Sequence, residues 1–106
     1  MVTIEEFKKL ELKIAEIESV SPHPNADRLY VLDIKVGEVR KKIVAGIRKH
    51  YGEEELKGKK VVIVDNMAPS VIRGVESQGM LMAASEDEKL TLIVPERPIA
   101  DGATIR

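Results

Sequence analysis

The sequence predicts an all-β domain in which short strands close into a small barrel. Six segments of four to nine residues that are rich in apolar side chains are separated by glycine, proline and charged turns, a spacing typical of short strands. Helical signals are confined to two short segments, so no long helix is available to connect parallel strands. A chain of 106 residues fits one domain with one core, which we assign to residues 1–106.

The first predicted element is a short helix over residues 4–10. Thr3 and Glu6 have the spacing of a capping box, in which the threonine hydroxyl accepts from the Glu6 N–H and the Glu6 side chain returns to Thr3. Three apolar residues then recur on one side of this helix, at Ile4, Phe7 and Leu10.

Three strands are predicted in the first half of the chain, over residues 12–20, 28–36 and 39–47. The apolar alternation of the first strand slips by one position, which predicts a β-bulge near Ala15-Glu16. Gly37-Glu38 suits a two-residue type II′ hairpin between the second and third strands. Gly46, inside the third strand, indicates a bulge or a close backbone approach.

The second half of the chain begins with a predicted helical turn over residues 48–51 and a charged connection over residues 52–60. Val61–Val64 lacks alternation, which predicts a strand buried on both faces. The remaining predicted elements are strands over residues 79–85 and 90–94 and a tail over residues 95–106 that turns at Asp101-Gly102.

Five or six short strands, with one short helix between the third and the fourth, fit a five-stranded Greek-key barrel of the OB type. Such barrels bind oligonucleotides or oligosaccharides on one face and its flanking loops. Residues 66–85 are too apolar for a solvated linker and too irregular for a helix or a regular strand. Because binding residues concentrate in loops on a rigid frame, we expect this loop and the strand after it to form a recognition surface.

Charge is unevenly distributed along a chain whose net charge is −1. Residues 35–60 carry nine basic and four acidic side chains, whereas the segments before and after are each net −3. The basic segment could present a positive face. The alternative is that its lysines are ordinary charges of turns and strand edges, which discourage edge-to-edge pairing. Two asparagines and one glutamine beside 33% charged residues match the composition of proteins from hyperthermophiles.

The residues predict no enzyme, metal site or cofactor. The two histidines, His23 and His50, lack ligand spacing, and no serine lies in a nucleophile motif. The absence of cysteine excludes disulfides and agrees with a cytoplasmic location. No stretch approaches the ~20 apolar residues of a membrane span, and the N-terminus lacks the apolar region of a signal peptide. Three aromatic residues cannot build a long stacking platform, so an RNA ligand would be recognised through its shape and backbone.

Several motifs, in order along almost the whole chain, resemble the tRNA-binding domain family. They are His23–Leu29, Ile43–Ile47, Asn66-x-x-Pro69, Arg73–Met80, Leu81–Ala84 and Gly102-Ala103-x-Ile105. The resemblance implies an OB-type barrel that binds the folded body of tRNA with little sequence preference and, in prokaryotic members, pairs as a homodimer. Within the family the chain is most similar to the C-terminal domain or beta subunit of methionyl-tRNA synthetases, so the catalytic domain or subunit of that enzyme is an implied partner.

The resemblance also implies RNA-binding roles for Asn66, Arg73, Ser77 and Met80. We expect Arg73 to contact phosphate. Asn66 and Ser77 either contact ribose or phosphate or pin the loop's own backbone, and Met80 either contacts RNA or packs in the core. Relatives often have basic residues just after Pro69, where this chain has serine and valine, so Arg73 is the only cation of the loop. The expected helpers are Arg40, Lys41, Lys42, Arg48 and Lys49.

A second hypothesis is a module whose main role is homodimerisation or docking of synthetase chains, with weak or no RNA binding of its own. The expected interface consists of apolar residues near the two termini: Val2, Ile4, Phe7, Ile99 and Ile105. Both roles are compatible, because a dimer doubles the basic surface and raises avidity. A secretion-chaperone role, known for some relatives of similar size, is a third alternative.

Overall fold

The computed structural model describes residues 1–106 and confirms the all-β prediction, with one short helix near the N-terminus and one between the third and fourth strands. Its elements are α1 Ile4–Phe7, β1 Leu12–Pro22, β2 Tyr30–Val36, β3 Val39–Ala45, α2 Glu53–Leu56, β4 Lys60–Val64, β5 Ser70–Ile72, β6 Val75–Ser77, β7 Met80–Leu81, β8 Ala83–Glu86, β9 Lys89–Leu92 and β10 Thr104–Ile105. Neither helix has the length or the apolar character that a membrane-spanning helix requires.

The main sheet is antiparallel and has the strand order β3-β2-β1-β4-β7, with β10 added beside β1. The long strand β1 lies at its centre, because its first half pairs with β4 and β10 and its second half pairs with β2. Sharing one strand between two sets of partners bends the sheet. The sheet therefore curls around a single core.

The bulge of β1 lies between Ile17 and Ser19, so the prediction at Ala15-Glu16 was wrong by two residues. Ala15 and Ile17 belong to the main core, whereas Ile14 is buried outside it. The backbone N–H and C=O of Ile14 pair with the tail, at Ala103 and Gly102. The apolar alternation is therefore irregular because both faces of the strand are buried at its start. The bulge lies further along the strand.

The core is formed by aliphatic side chains from β1, β2, β3, β4 and α2. The largest fully buried ones are Ile17, Leu32, Ile34, Ile43, Leu56, Val61 and Ile63. Val61–Val64 is buried throughout, as predicted from its lack of alternation. Gly37, with φ +65°, lies between the paired residues Val36 and Val39, which agrees with the predicted two-residue hairpin.

The predicted helical turn over residues 48–51 is present, since the Tyr51 N–H donates to the Ile47 carbonyl oxygen at 3.1 Å, and a separate short helix lies at Glu53–Leu56. This helix was not predicted, because its acidic residues were treated as part of a charged connection. Acidic side chains in the first turn stabilise a helix, because they lie at the positive end of its dipole. The Glu55 side chain accepts from the Gly52 N–H at 2.9 Å, and Leu56 anchors the helix in the core.

The loop over residues 66–85 is more regular than predicted, since it contains the β5–β6 hairpin. The single strand predicted over residues 79–85 is divided into β7 and β8, and β8 pairs only with β9 in a separate hairpin. The tail contributes β10, which was not predicted. A two- or three-residue strand gives too short an alternation to be seen in a sequence.

Gly79 and Gly46 differ in how closely neighbouring atoms approach the position that a Cβ would occupy. A Cβ at Gly79 would lie 3.2 Å from the carbonyl oxygen of Val64, so the chain passes closer to β4 there than most residues allow. A Cβ at Gly46 would lie 3.6 Å from a Leu29 methyl carbon, an ordinary contact. The close approach predicted at Gly46 is therefore absent.

Candidate nucleic-acid interface

The β5–β6 hairpin ends in a two-residue turn, Arg73-Gly74, between the paired residues Ile72 and Val75. Both turn residues have positive φ, +53° for Arg73 and +92° for Gly74, as a type I′ turn requires. Asparagine or glycine normally occupies the first position, because the left-handed conformation costs other residues about 1–2 kcal/mol. The turn therefore accepts backbone strain at the residue that carries the guanidinium.

The Arg73 side chain is exposed and makes no ion pair with any carboxylate within 4 Å. A guanidinium presents five N–H donors in a planar fork that matches two phosphate oxygens. The hairpin tip thus offers a free cation to a ligand in solvent.

The hairpin tip is held from outside by the turn between β1 and β2. The Asn25 side-chain amide donates to the Arg73 carbonyl oxygen at 3.0 Å, and His23 Nε2 donates to the Ile72 carbonyl oxygen at 2.9 Å. Nδ1 of His23 accepts from the Asn25 N–H at 2.9 Å, which fixes the neutral tautomer protonated at Nε2. We call His23 and Asn25 the latch. His23 is only 4% exposed, so its ring is part of the folded frame.

The far end of the hairpin is fixed to the edge of β3. Ser77, 3% exposed, accepts from the Val44 N–H at 3.0 Å and donates to the Gly79 carbonyl oxygen at 3.1 Å. Gln78 exchanges two hydrogen bonds with the Lys42 backbone, at 2.8 and 3.0 Å. These bonds close the curled sheet where a continuous ladder is missing, and we call them the seam. Of the two roles left open for Ser77, the geometry favours pinning the loop.

Asn66 is likewise occupied by backbone groups. Its Oδ1 accepts from the Glu11 N–H at 2.9 Å, and its Nδ2 donates to the Lys9 carbonyl oxygen at 2.7 Å. Both ends of the amide thus join the start of the loop to the segment before β1. Met80, in contrast, is 46% exposed although it pairs with Val64 in the sheet, so its side chain is accessible to a ligand.

Three of the expected basic helpers on β3 already have acidic partners. Arg40 makes two hydrogen bonds to Glu18, at 2.8 and 3.3 Å, and this contact raises the pKa of Arg40 above its usual value. Lys41 lies 2.8 Å from Asp65, and Lys42 lies 3.7 Å from Asp33. Since these acids lie outside residues 35–60, the folded chain neutralises much of the positive charge that the sequence concentrates there.

Arg48 and Lys49, the other two expected helpers, follow β3 and make no ion pair within 4 Å. The Arg48 guanidinium lies 5.9 Å from the centre of the Tyr30 ring, a distance at which a cation is attracted to an aromatic face. Tyr30 is itself buried and donates its hydroxyl to the Tyr51 carbonyl oxygen at 2.7 Å. Arg48 therefore rests on a rigid support.

The residues expected at a dimer interface are only partly brought together. Ile4, Phe7 and Ile105 line one groove of about 520 Å³ between α1 and β10, and the exposed Val2 precedes α1. Ile99 does not line this groove. Its carbonyl oxygen accepts from the Lys60 side chain, at another part of the surface.

The fold and this surface define a class of small β-barrel binding domains, in which the ligand lies on a face flanked by loops. The family described as "Putative tRNA binding domain" matches residues 12–104, and the chain belongs to that family. The description is that of a binding domain, in agreement with the expectation of a module that is not catalytic by itself.

Similar proteins are known at the level of sequence and of structure. A methionine–tRNA ligase of Thermococcus kodakarensis is 48% identical over 105 residues, which make up 99% of this chain but 14% of that protein. A MetRS-related protein from Pyrococcus horikoshii has a crystal structure with a TM-score of 0.93 and 34% identity, covering 100% of this chain and 98% of the other. The CsaA chaperone protein of Picrophilus torridus has a TM-score of 0.92 and 28% identity, covering both chains completely.

Proposed function

We propose that the chain is a non-catalytic tRNA-binding module of a methionyl-tRNA synthetase, as its C-terminal domain or beta subunit, formed by residues 1–106. In this role it binds the folded body of tRNA with little sequence preference and increases the affinity of the synthetase for tRNA. Support comes from the family match and from the synthetase relatives of which the chain spans only a part. A thermophilic source is part of the proposal, supported by the composition and by relatives from thermophilic archaea.

The observation that carries the proposal is the exposed Arg73 at a strained and latched hairpin tip. A residue kept in an unfavourable backbone conformation points to a use for its side chain. Two hydrogen bonds from the latch hold the backbone beneath it, so little backbone entropy is lost when the guanidinium binds a phosphate. Phosphate contacts carry no sequence information, which agrees with binding that depends little on tRNA sequence.

A tRNA gel-shift titration at two salt concentrations tests this function. We expect log K to fall linearly with log salt, by about 0.7–0.9 for each phosphate neutralised. Arg73→Ala should weaken binding to every tRNA by a similar factor. Lys89→Ala, which removes an exposed cation from the β8–β9 hairpin, is the control. Binding that ignores salt, or no complex at micromolar protein, would reject the function.

We also propose that the chain forms a homodimer through the groove between α1 and β10. The observation that favours it is the group of exposed apolar side chains there, since Ile4 is 72% and Phe7 40% exposed. Apolar patches of this kind mark protein interfaces. In the alternative function, dimerisation or docking is the main role and RNA binding is weak or absent. The same groove would then be the interface.

Sedimentation at several protein concentrations separates these possibilities. A dimer should be lost in Phe7→Glu, because the change places a charge in the groove, and should persist in the surface control Val39→Glu on the β2–β3 hairpin. A monomer at high concentration in the wild type would eliminate both forms of the dimer proposal.

A further inference from the structure

We infer that Arg28, Arg48 and Lys49 form a second phosphate-binding element beside the hairpin tip, and that with Arg73 they hold the sugar-phosphate backbone of a folded RNA. The inference rests on the proposed function and adds the position of the remaining contacts. It replaces the basic stretch Arg40–Lys42 as the main electrostatic support of the hairpin.

The turn over residues 23–29 brings these cations to one end of the barrel. On one side the turn holds the hairpin tip through the latch, with Asn25 bound to the backbone of Arg73. On the other side Leu29 lies against Gly46, at 3.6 Å from where its Cβ would be, and Tyr30 pairs with Ala45. Arg28 lies within the turn itself. The segment that carries Arg48 and Lys49 begins directly after the Gly46 contact.

The four cations share a property that the β3 cations lack, because none has a carboxylate within 4 Å. A paired cation must give up its acidic partner before it can meet a phosphate, and this exchange reduces the gain. An unpaired cation only exchanges water and counterions, whose release drives binding to nucleic acid. Asp27 and Glu76 are exposed on the same turn and hairpin, so the end of the barrel keeps a net charge of +2.

The chemical character of the end favours backbone recognition over base recognition. Its two aromatic rings are not freely exposed for stacking on a base, because Tyr30 is buried against Arg48 and Tyr51 packs against the core with its hydroxyl accepting from the Leu92 N–H. Two arginines and a lysine around a fixed arginine can follow successive phosphates of a folded RNA. The ligand class is therefore a polyanion with regularly spaced phosphates.

The test compares the triple variant Arg28→Gln/Arg48→Gln/Lys49→Gln with a matched triple variant, Lys57→Gln/Lys89→Gln/Arg97→Gln. The control removes three exposed cations that also lack ion pairs but lie elsewhere on the surface. We measure tRNA binding over a range of salt concentrations. Log K falls with log salt, and the first variant should make this slope less steep by about 2. The control variant should leave the slope unchanged within experimental error.

A second variant removes any dependence on the Arg48–Tyr30 contact. Arg28→Gln/Lys49→Gln keeps Arg48 in place. It should make the negative slope less steep by about 1.5 without changing the unfolding midpoint. An unchanged slope in both variants, with normal wild-type binding, overturns the second element and leaves the proposed function intact. Equal losses in the test and control triples overturn it as well, since they indicate a diffuse field. A wild type that does not bind tRNA overturns both proposals.

Discussion

Replacing Arg73 by asparagine should change stability and RNA binding in opposite directions. Asn-Gly is the favoured pair in a type I′ turn, and Arg73 occupies the first position with φ +53°. Relief of a left-handed penalty of about 1–2 kcal/mol should stabilise the fold by roughly 1 kcal/mol. For a domain of this size, the unfolding midpoint then rises by about 4–8 °C. The same change removes a charged donor from the proposed interface, and hydrogen bonds to charged groups contribute about 1.5–3 kcal/mol, so tRNA affinity should fall about 10- to 100-fold.

Calorimetry and a tRNA titration on the same preparations measure both effects. Arg73→Ala is the matched control, because alanine keeps the left-handed penalty while losing the guanidinium. It should weaken binding as asparagine does but give no increase in the unfolding midpoint. If Arg73→Asn and Arg73→Ala are equally stable, the strain argument fails. If Arg73→Asn binds tRNA as well as the wild type, the guanidinium has no role in recognition.

Three further substitutions separate framework residues from contacts. Ser77→Ala should cost about 1–3 kcal/mol in denaturant unfolding, because it leaves the Val44 N–H without its partner, and should not alter the salt slope of binding. Asn66→Ala should cost about 1–2 kcal/mol by the loss of two hydrogen bonds; a reduced salt slope would instead identify it as an RNA contact. Asn25→Ala should accelerate amide exchange over residues 70–77 and weaken tRNA binding, while Asn25→Asp, which cannot donate to the Arg73 carbonyl oxygen, should behave similarly.

Most of the framework could be predicted because its signals are local. The capping box at Thr3 forms with both reciprocal hydrogen bonds. The uninterrupted apolar run Val61–Val64 becomes the buried strand, and the turn at Gly37 closes the β2–β3 hairpin. Each of these follows from residues within four positions of one another. Their physical basis, hydrophobic period and turn geometry, is contained in the local sequence.

The contacts that hold the candidate interface could not be predicted, because they join distant residues. Arg40 and Glu18 lie 22 positions apart, and Asn66 reaches across 55 positions to Glu11, so no local pattern reveals either contact. The strain at Arg73 has no signature in composition, since arginine rarely occupies such a turn. The roles of His23 and Asn25 were missed for the same reason, although their segment was among the motifs that carried the family resemblance.

The β5–β6 hairpin is joined to the main sheet by fewer hydrogen bonds, at Ser77 and Gln78, than join the long strands of that sheet to one another. Three hydrogen bonds, two of them involving a side chain, join Ser77 and Gln78 to β3, whereas the strands of the main sheet are joined by regular ladders. We therefore expect the hairpin to open more readily than the regular sheet, once both the seam and the latch are released. A graft of residues 70–76 from a relative, with the latch and the seam left in place, would transfer a different set of ligand contacts onto an unchanged scaffold.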